Sequence, residues 1–528
     1  MSLDVEEPKS PGWWMHRLYS RLVDPKRQQR LRDLDDRYRG VPALPGMSRN
    51  QREAVASFHP FSRTNFARLV CEAVRERMTP VGIRTSADDD ITGDAEAWRI
   101  WQRAGMPVES AEVHRGMFRF GDSYAIVGPP DPITKVPVIT YEDPRQIVTE
   151  HDPAQQRRRL AAFKLFHDDI ESADFAYLWL PGKLWVARRD VSRNTGPSPE
   201  PTFAANLFEW DTERTQALPD PNMLPVHRFR NEHGVAEFEP YLDLLKRIDH
   251  EVLQRMTISV YQAFRQRAVK NLPQYDDQGN EIDYSEILVS DPGAFWQVPD
   301  LVEFWESQSI DLTPILNAIK SDVENLAAVT RTPLHYLTPS GANQSAEGAA
   351  LSREGLVFKV EDRMARASAV WSDVMSDAFL WLGDTGRADL DQLDVIWKPA
   401  ERESLAARLD AATKATTAQV PWRTIMTDII GFSPQRVDQM QAERLDDQLL
   451  QAQILAETTK ITAPAQAAAA AATANATGGA GGGAAPKGMA AVNAAKAGTS
   501  VPMGNMPAKL QLNAQRAAAG QKLLGQKT

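Results

Sequence analysis

Apolar residues along this chain keep two rhythms, and the change falls near Gly121. Up to that point the spacing is helical. Phe66, Leu69, Val70, Ala73, Val74 and Met78 share one face of a predicted helix over 64–78, which Thr79 and Pro80 end. Residues 13–39 read as short amphipathic helices, with Trp13, Trp14, Leu18 and Leu22 ahead of the basic Lys26, Arg27, Arg30 and Arg32. A helix around 94–104 carries Trp98 and Trp101, and another covers 109–119. From 121 to 231 the pattern becomes short runs of β-branched and aromatic residues between Pro and Gly: 124–127, 136–141, 146–150, 160–167 and 226–231. Residues 175–187 read as a hairpin turning at Pro181 and Gly182.

Helical spacing returns near Tyr241. Leu245, Ile248, Val252, Met256, Val260 and Phe264 form one stripe of a long helix. A compact insert over 272–308 follows, with a turn at 276–280 and apolar stretches at 287–289 and 295–298. A third helix runs from about Thr313 to Thr330. Between Arg331 and Glu347 no residue is charged, and Pro, Gly, Ser, Thr and Asn mark a loop. Then Val357, Val360, Met364, Ala367, Trp371, Val374, Ala378 and Trp381 alternate at spacings of three and four. That seam predicts a helix over 345–382, roughly 55 Å long at ~1.5 Å per residue. Ser345 suits its N-cap, and Glu347 sits where the helix dipole favours negative charge. The seam serves either as intrachain core or as packing between subunits; its length favours subunits. Residues 401–456 are helical again, interrupted by Pro421 and by 431–434. Beyond Ala463 the Ala/Gly-rich composition predicts disorder, with a weak helix near 508–525.

With 528 residues, two to four structural regions are expected. No run of about 18 apolar residues exists to span a membrane, and the N-terminus lacks the apolar core of a signal peptide. A single cysteine, Cys71, excludes an intrachain disulfide and a cysteine-based zinc site. The net charge of −10 conceals an asymmetry. Residues 461–528 contain no Asp or Glu but carry Lys487, Lys496, Lys509, Arg516, Lys522 and Lys527, leaving −16 on residues 1–460. A body so acidic is ill suited to gripping phosphates, although it can surround DNA without holding it.

Catalytic patterns are scarce. Residues 181–183 and 478–483 are fragments of phosphate-loop sequence without the remainder. His227 and His233 are six apart, and as ordinary histidines they need no metal. Residues 276–281 fit a hairpin turn better than a calcium loop. No nucleophile, cofactor or metal motif stands out, and no enzyme is expected. The thirteen tryptophans fit core and subunit packing better than base stacking.

In combination these features resemble the portal proteins of tailed bacteriophages, of the type found in long-tailed phages of actinobacteria. Residues 65–78 with 81–83 resemble that family's early helix and strand, and 226–231 the strand before its first stem helix. Residues 332–337, 343–347 and 354–363 resemble its tunnel loop and long-helix signature. The resemblance spans roughly 10–455. It implies an α+β fold with a wing (1–240, β-rich over 121–231), a first stem helix (241–271) and a small clip (272–309). A second stem helix (310–332), a tunnel loop (333–346) and a long wing helix with return to the wing (347–400) follow. A crown (401–456) and a basic low-complexity tail (457–528) complete the chain.

Function follows from the same resemblance: a homo-oligomeric ring, usually a dodecamer, at one vertex of the virion capsid, assembled in the host cytoplasm. Double-stranded DNA would pass through it without sequence preference, in packaging and in ejection. Its implied partners are the terminase large subunit, a head–tail adaptor, and the major capsid and scaffold proteins, with no cofactor. Thr338, Pro339, Ser340, Gly341, Ala342, Asn343 and Gln344 would face the DNA. Val357, Val360, Met364, Trp371, Val374 and Trp381 on the long helix would pack between subunits. On the stem, Leu245, Ile248, Val252, Met256, Val260 and Phe264 would do the same. Tyr275, Tyr284, Phe295 and Trp296 in the clip would meet partners. The tail would touch packaged DNA or scaffold, or serve only as a solubilising extension. A capsid scaffold or adaptor that oligomerises without conducting DNA, and an enzyme with a β-rich catalytic region at 121–231, are the alternatives.

Overall fold

A computed structural model describes residues 3–42, 56–87, 93–190, 206–263, 267–276, 278–284, 302–338, 346–401, 405–432 and 434–476, together with positions 49, 53, 203, 204 and 288. The fold is mixed helix and sheet, and its contacts divide it into Met1–Glu443 and Arg444–Thr528. The first unit opens with α1 (Pro11–Leu22) and α2 (Pro25–Arg39), capped by Ser10 and Asp24, whose side chains accept from Trp13 N and Arg27 N. Then come α3 (Phe66–Arg75), β1 (Pro80–Arg84), α4 (Ala95–Arg103) and α5 (Met106–Phe120). The β-rich region follows: β2 (Asp122–Pro130), β3 (Pro137–Glu142), β4 (Ile147–His151), β5 (Arg159–Asp168), β6 (Ala173–Leu180), β7 (Lys183–Asp190), β8 (Glu209–Trp210), β9 (Gln216–Ala217) and β10 (Val226–Arg230).

These strands form two antiparallel sheets. One has the order β10-β2-β3; the other runs β4-β5-β6-β7-β8, with β9 also on β7. The expected hairpin is present. Leu180 pairs with Lys183 across Pro181 and Gly182, and Gly182 takes φ +76°, which costs a side-chain-bearing residue strain. A Cβ there would also lie 2.6 Å from the Pro221 carbonyl oxygen. The strands predicted at 124–127, 136–141, 146–150, 160–167 and 226–231 all exist.

After the sheets come α6 (Leu242–Ala263), β11 (Arg267–Lys270), β12 (Glu303–Glu306), α7 (Thr313–Thr330) and α8 (Ala346–Leu382). The expected first stem helix over 241–271 is too long. The described helix is Leu242–Ala263, and residues 267–270 pair antiparallel with 303–306, a partner that local periodicity cannot reveal. The predicted helices at 313–330 and 345–382 match α7 and α8. Gly383, at φ +75°, ends α8, with Gly383 N donating to Leu380 O and Asp384 N to Phe379 O. β13 (Asp394–Trp397) then pairs with β1, more than 300 residues away in sequence, and α9 (Leu405–Thr417) follows.

α8 organises the core. Leu356, Val360, Met364, Ala367, Trp371, Val374, Met375, Ala378 and Phe379 are buried against α3, α5, β2, β10 and β13. Trp371 is fully enclosed: its ring centroid is 4.5 Å from Phe229 and 5.1 Å from Trp101, and its Nε1 donates to His114 Nε2 at 2.9 Å. The assignment of this seam to subunit packing is therefore corrected. Val360, Met364, Trp371 and Val374 are spent inside their own chain, and Val357 and Trp381 pack half-buried against the same interior. The sheets and the N-terminal helices wrap the beam, supplying cover that sequence alone does not count.

The last helix, α10 (Pro434–Ala476), belongs to the second unit from Arg444 onward. It continues well past Ala463, where composition predicted disorder. Alanine is the strongest helix former, so a segment too small-sided to make a core can still be helical.

Candidate channel elements

The segment that begins the uncharged loop is built from the end of α7. Arg331 takes the left-handed conformation (φ +54°), its N–H donates to Ala328 O, and Thr332 N donates to Ala327 O at 3.0 Å. These bonds use two of the carbonyls a helix leaves open at its C-terminus. The carbonyl of Thr330 finds a different donor: Lys359 Nζ, on the second turn of the described side chains of α8, at 2.9 Å. An ammonium group at a helix C-terminus also meets the negative end of the dipole.

Residues 334–337 then form one helical turn. Leu337 is buried, and Arg77 bridges Tyr336 Oη (3.2 Å) and Ala400 O (2.7 Å). Thr338 closes the turn through Thr338 N to Leu334 O at 2.8 Å. Of the loop residues expected to face DNA, Thr338 is described; Pro339, Ser340, Gly341, Ala342, Asn343 and Gln344 lie outside the described residues, as does Ser345.

Lys359 also contacts Glu237 Oε1 at 2.7 Å, and Arg363, four residues further along α8, reaches Glu237 Oε2 at 3.2 Å and Glu232 at 3.0 Å. Asn231 Nδ2 donates to Glu237 Oε2 at 3.1 Å. Lys359, Arg363 and Glu237 are all buried. Burial pushes the Glu237 carboxyl toward neutrality, but Lys359 and Arg363 outweigh it and hold the group below the usual glutamate range. For Arg363, burial works against the charge while Glu237 and Glu232 restore it, with a net upward shift. One carboxylate thus joins three places: the link between β10 and α6, the end of α7, and α8.

α6 and α7 pack side by side, tied by Arg247 to Asp322, and the α6 end near the body is fastened by Asp249, which accepts from Thr64 N (2.9 Å) and Thr64 Oγ1 (2.6 Å). Leu245, Ile248 and Val252 are buried in this chain, whereas Met256 and Val260 are only half-buried and Phe264 lies outside the described residues. Ile310 and Leu316 opposite are exposed. Of the residues expected in the clip, Tyr275 is 61% exposed, Tyr284 is half-buried with its hydroxyl donating to Pro273 O, and Phe295 and Trp296 lie outside the described residues. Sequence reasoning overlooked Phe304 and Trp305, about half exposed on β12; the aromatic pair between Glu303 and Glu306 was the signal.

Among the described residues no group of three or more His, Cys, Asp or Glu is placed to hold a metal. His227 and His233 stand apart in kind. His227 is buried, receives Arg159 on Nδ1 at 2.6 Å, and so donates from Nε2 to Asp377 at 2.8 Å; His233 is exposed. A cleft of about 480 Å³ on the β-rich region gathers Arg21, Arg157, Arg159, Arg228 and Arg230 with Glu150, Asp152 and Asp373. The lone thiol, Cys71, is buried beneath α5, and burial raises its pKa well above normal. Lys359 and Arg363 fall inside the 354–363 signature, yet nothing in sequence marked them as a pair around a carboxylate more than 120 residues earlier.

Two solved chains in the necks of GTA particles share 11% identity with this one. The first, from a native particle computed with C12 symmetry, has a TM-score of 0.40 and covers 73% of this chain and 92% of its own. The second, from an empty particle computed with C6 symmetry, has a TM-score of 0.41 and covers 73% and 93%. The portal protein of Mycobacterium phage D29 is 23% identical over 368 residues, 67% of this chain and 72% of that protein. The portal protein of Mycobacterium phage L5 is 22% identical over 375 residues, with the same coverage. Residues 24–449 match the family model described as phage portal protein, SPP1 Gp6-like. With the α6–α7 pair, the uncharged segment and the long core helix all inside the matched span, the chain belongs to the SPP1 Gp6-like family of phage portal proteins.

Proposed function

We propose that copies of this chain close into a ring, a dodecamer, at one vertex of the capsid, and that duplex DNA passes through its centre. In this reading Thr338–Gln344 line the narrowest part of the channel. The observation that carries it is the order α6, β11–β12, α7, anchored turn, α8, which delivers an uncharged segment directly from the end of a stem helix. A segment of Thr, Pro, Ser, Gly, Ala, Asn and Gln offers a sliding duplex weak, sequence-blind contact, and an acidic body does not hold phosphates. Met256 and Val260, half-covered by their own chain, and the exposed Ile310 and Leu316 leave apolar stem surface for a neighbouring copy.

The clip, with exposed Tyr275 and Trp305, is the surface offered to the terminase large subunit during packaging and to a head–tail adaptor afterwards. Major capsid and scaffold proteins would surround the wing, and the protein works as a virion component assembled in the host cytoplasm. The role is structural, as in the family.

The triple variant Ser340→Arg, Asn343→Arg, Gln344→Arg tests the loop. Rings with a central hole should form in normal yield by electron microscopy while packaged DNA per particle falls sharply. Normal packaging would reject the loop assignment, and a solid or filamentous wild-type assembly would reject the channel.

A further inference from the structure

We propose that Lys359 is the positioning residue of the channel loop: by holding the Thr330 carbonyl, the open end of α7, against Glu237, it fixes where and in which direction the chain leaves the body. This rests on the channel reading given above.

A helix end can leave its last carbonyls to water. Here the Thr330 carbonyl instead takes its hydrogen from an ammonium group only 7% exposed, and the same nitrogen contacts Glu237. Taking such a charge out of water is costly, and an unbranched apolar side chain would fill the space between α7 and α8 at no electrostatic expense. Packing alone therefore does not explain lysine at 359. Direction does. An ammonium that must satisfy a carbonyl and a carboxylate at once allows one placement of the α7 end relative to α8.

Arg363 completes the arrangement. One turn along α8, it engages the other Glu237 oxygen and Glu232, so the carboxylate cannot rotate away from Lys359. Glu237 stands in the short link between β10 and α6. Both stem helices are thus referred to one point on the core helix. Beyond that point Arg77, bonded to Tyr336 and to Ala400 O, fastens the next turn, and Leu337 is buried. Residues 330–338 are held at both ends, and the uncharged segment starts from a fixed root. Force applied to the loop by a moving duplex passes through Lys359 into α8, whose apolar seam is buried in the core.

The test compares Lys359→Met, which keeps length and removes both polar contacts, with Lys359→Arg, which can restore them; Arg363 still neutralises Glu237 in both. In the methionine variant, amide hydrogen exchange at residues 331–338 should rise about tenfold or more, as expected when a local opening loses one charged hydrogen bond. Exchange in α5 and β2 should stay as in the wild type, rings should keep their mass, and packaged DNA per particle should fall. The arginine variant should recover both readouts. Wild-type exchange at 331–338 in the methionine variant overturns the proposal, as does an arginine variant indistinguishable from methionine. Exchange raised equally across α5, β2 and 331–338 also overturns it, since that is general loss of stability. Should the methionine chain fail to form rings, the same exchange comparison on the unassembled chains decides. Failure of the channel reading is separate: it would appear as wild-type protein without a pore or without packaging, whatever exchange shows at 331–338.

Discussion

At the scale of single residues, a fully buried contact joins Trp371 to His114. The indole N–H donates into His114 Nε2, so that nitrogen carries no proton and the ring is neutral. Burial, reinforced by Arg75, pushes the His114 pKa down to about 3. In the unfolded chain an imidazole takes its proton near pH 6.5, whereas the folded one resists until about pH 3. Over that window the unfolded state binds more protons, so stability falls as the pH falls. His114→Gln, which keeps an acceptor near the Nε2 position, should show a shallower loss of melting temperature between pH 6.5 and 3 than the wild type. His227, also buried with its pKa lowered, supplies part of the remaining slope. Equal slopes for variant and wild type would reject this account of His114. Trp371→Phe, which leaves the imidazole acceptor unsatisfied, should cost about 1–3 kcal/mol in denaturant unfolding. Trp371 is legible in sequence as part of an apolar seam, although the seam reads there as subunit packing rather than as core. His114 is not, because nothing near it in sequence says which indole it faces.

For whole elements, the relevant comparison is between the seam of α8 and the stripe of α6. Both show helical spacing, α8 alternating three and four and α6 stepping mostly by four; the sequence assigns the α8 seam to subunit contacts on its length and the α6 stripe through the family resemblance. Their fates differ. The α8 seam is enclosed by strands and helices of its own chain, while the described side chains of α6 beyond Leu253 are half-buried or exposed. Val360→Ala should therefore destabilise the isolated subunit by roughly 1–3 kcal/mol, from lost burial and the space left behind. Val260→Ala should change subunit unfolding little and weaken ring assembly instead. Denaturant titration of dissociated subunits, beside native mass measurement, reads the two effects separately. If Val360→Ala left subunit unfolding unchanged, the core assignment of the seam would fail. Periodicity reveals that a helix has an apolar face but not what covers it. It also carried the first stem helix past Ala263, because the strand at 267–270 owes its existence to residues 303–306.

Over the molecule as a whole, charge decides how the protein treats DNA. With −16 on residues 1–460, a chain truncated after Lys460 should not retain a short duplex at 0.15 M salt. Tight, salt-sensitive retention would contradict a channel that lets DNA slide. The full chain, with its six tail cations, should bind at low salt and release as salt rises, if the tail acts as a DNA contact. Net charge, the succession of helical and β-rich regions, the position of the uncharged segment and the length of α8 follow from sequence alone, because each depends on neighbours within a few turns or on composition. What only the tertiary structure decided are the pairings made across distance. β1 meets β13, His114 meets Trp371, and Glu237 gathers Lys359 and Arg363 at the root of the loop. These depend on which surfaces the fold brings into contact and dehydrates together, and a linear pattern of polar and apolar residues carries no record of that choice.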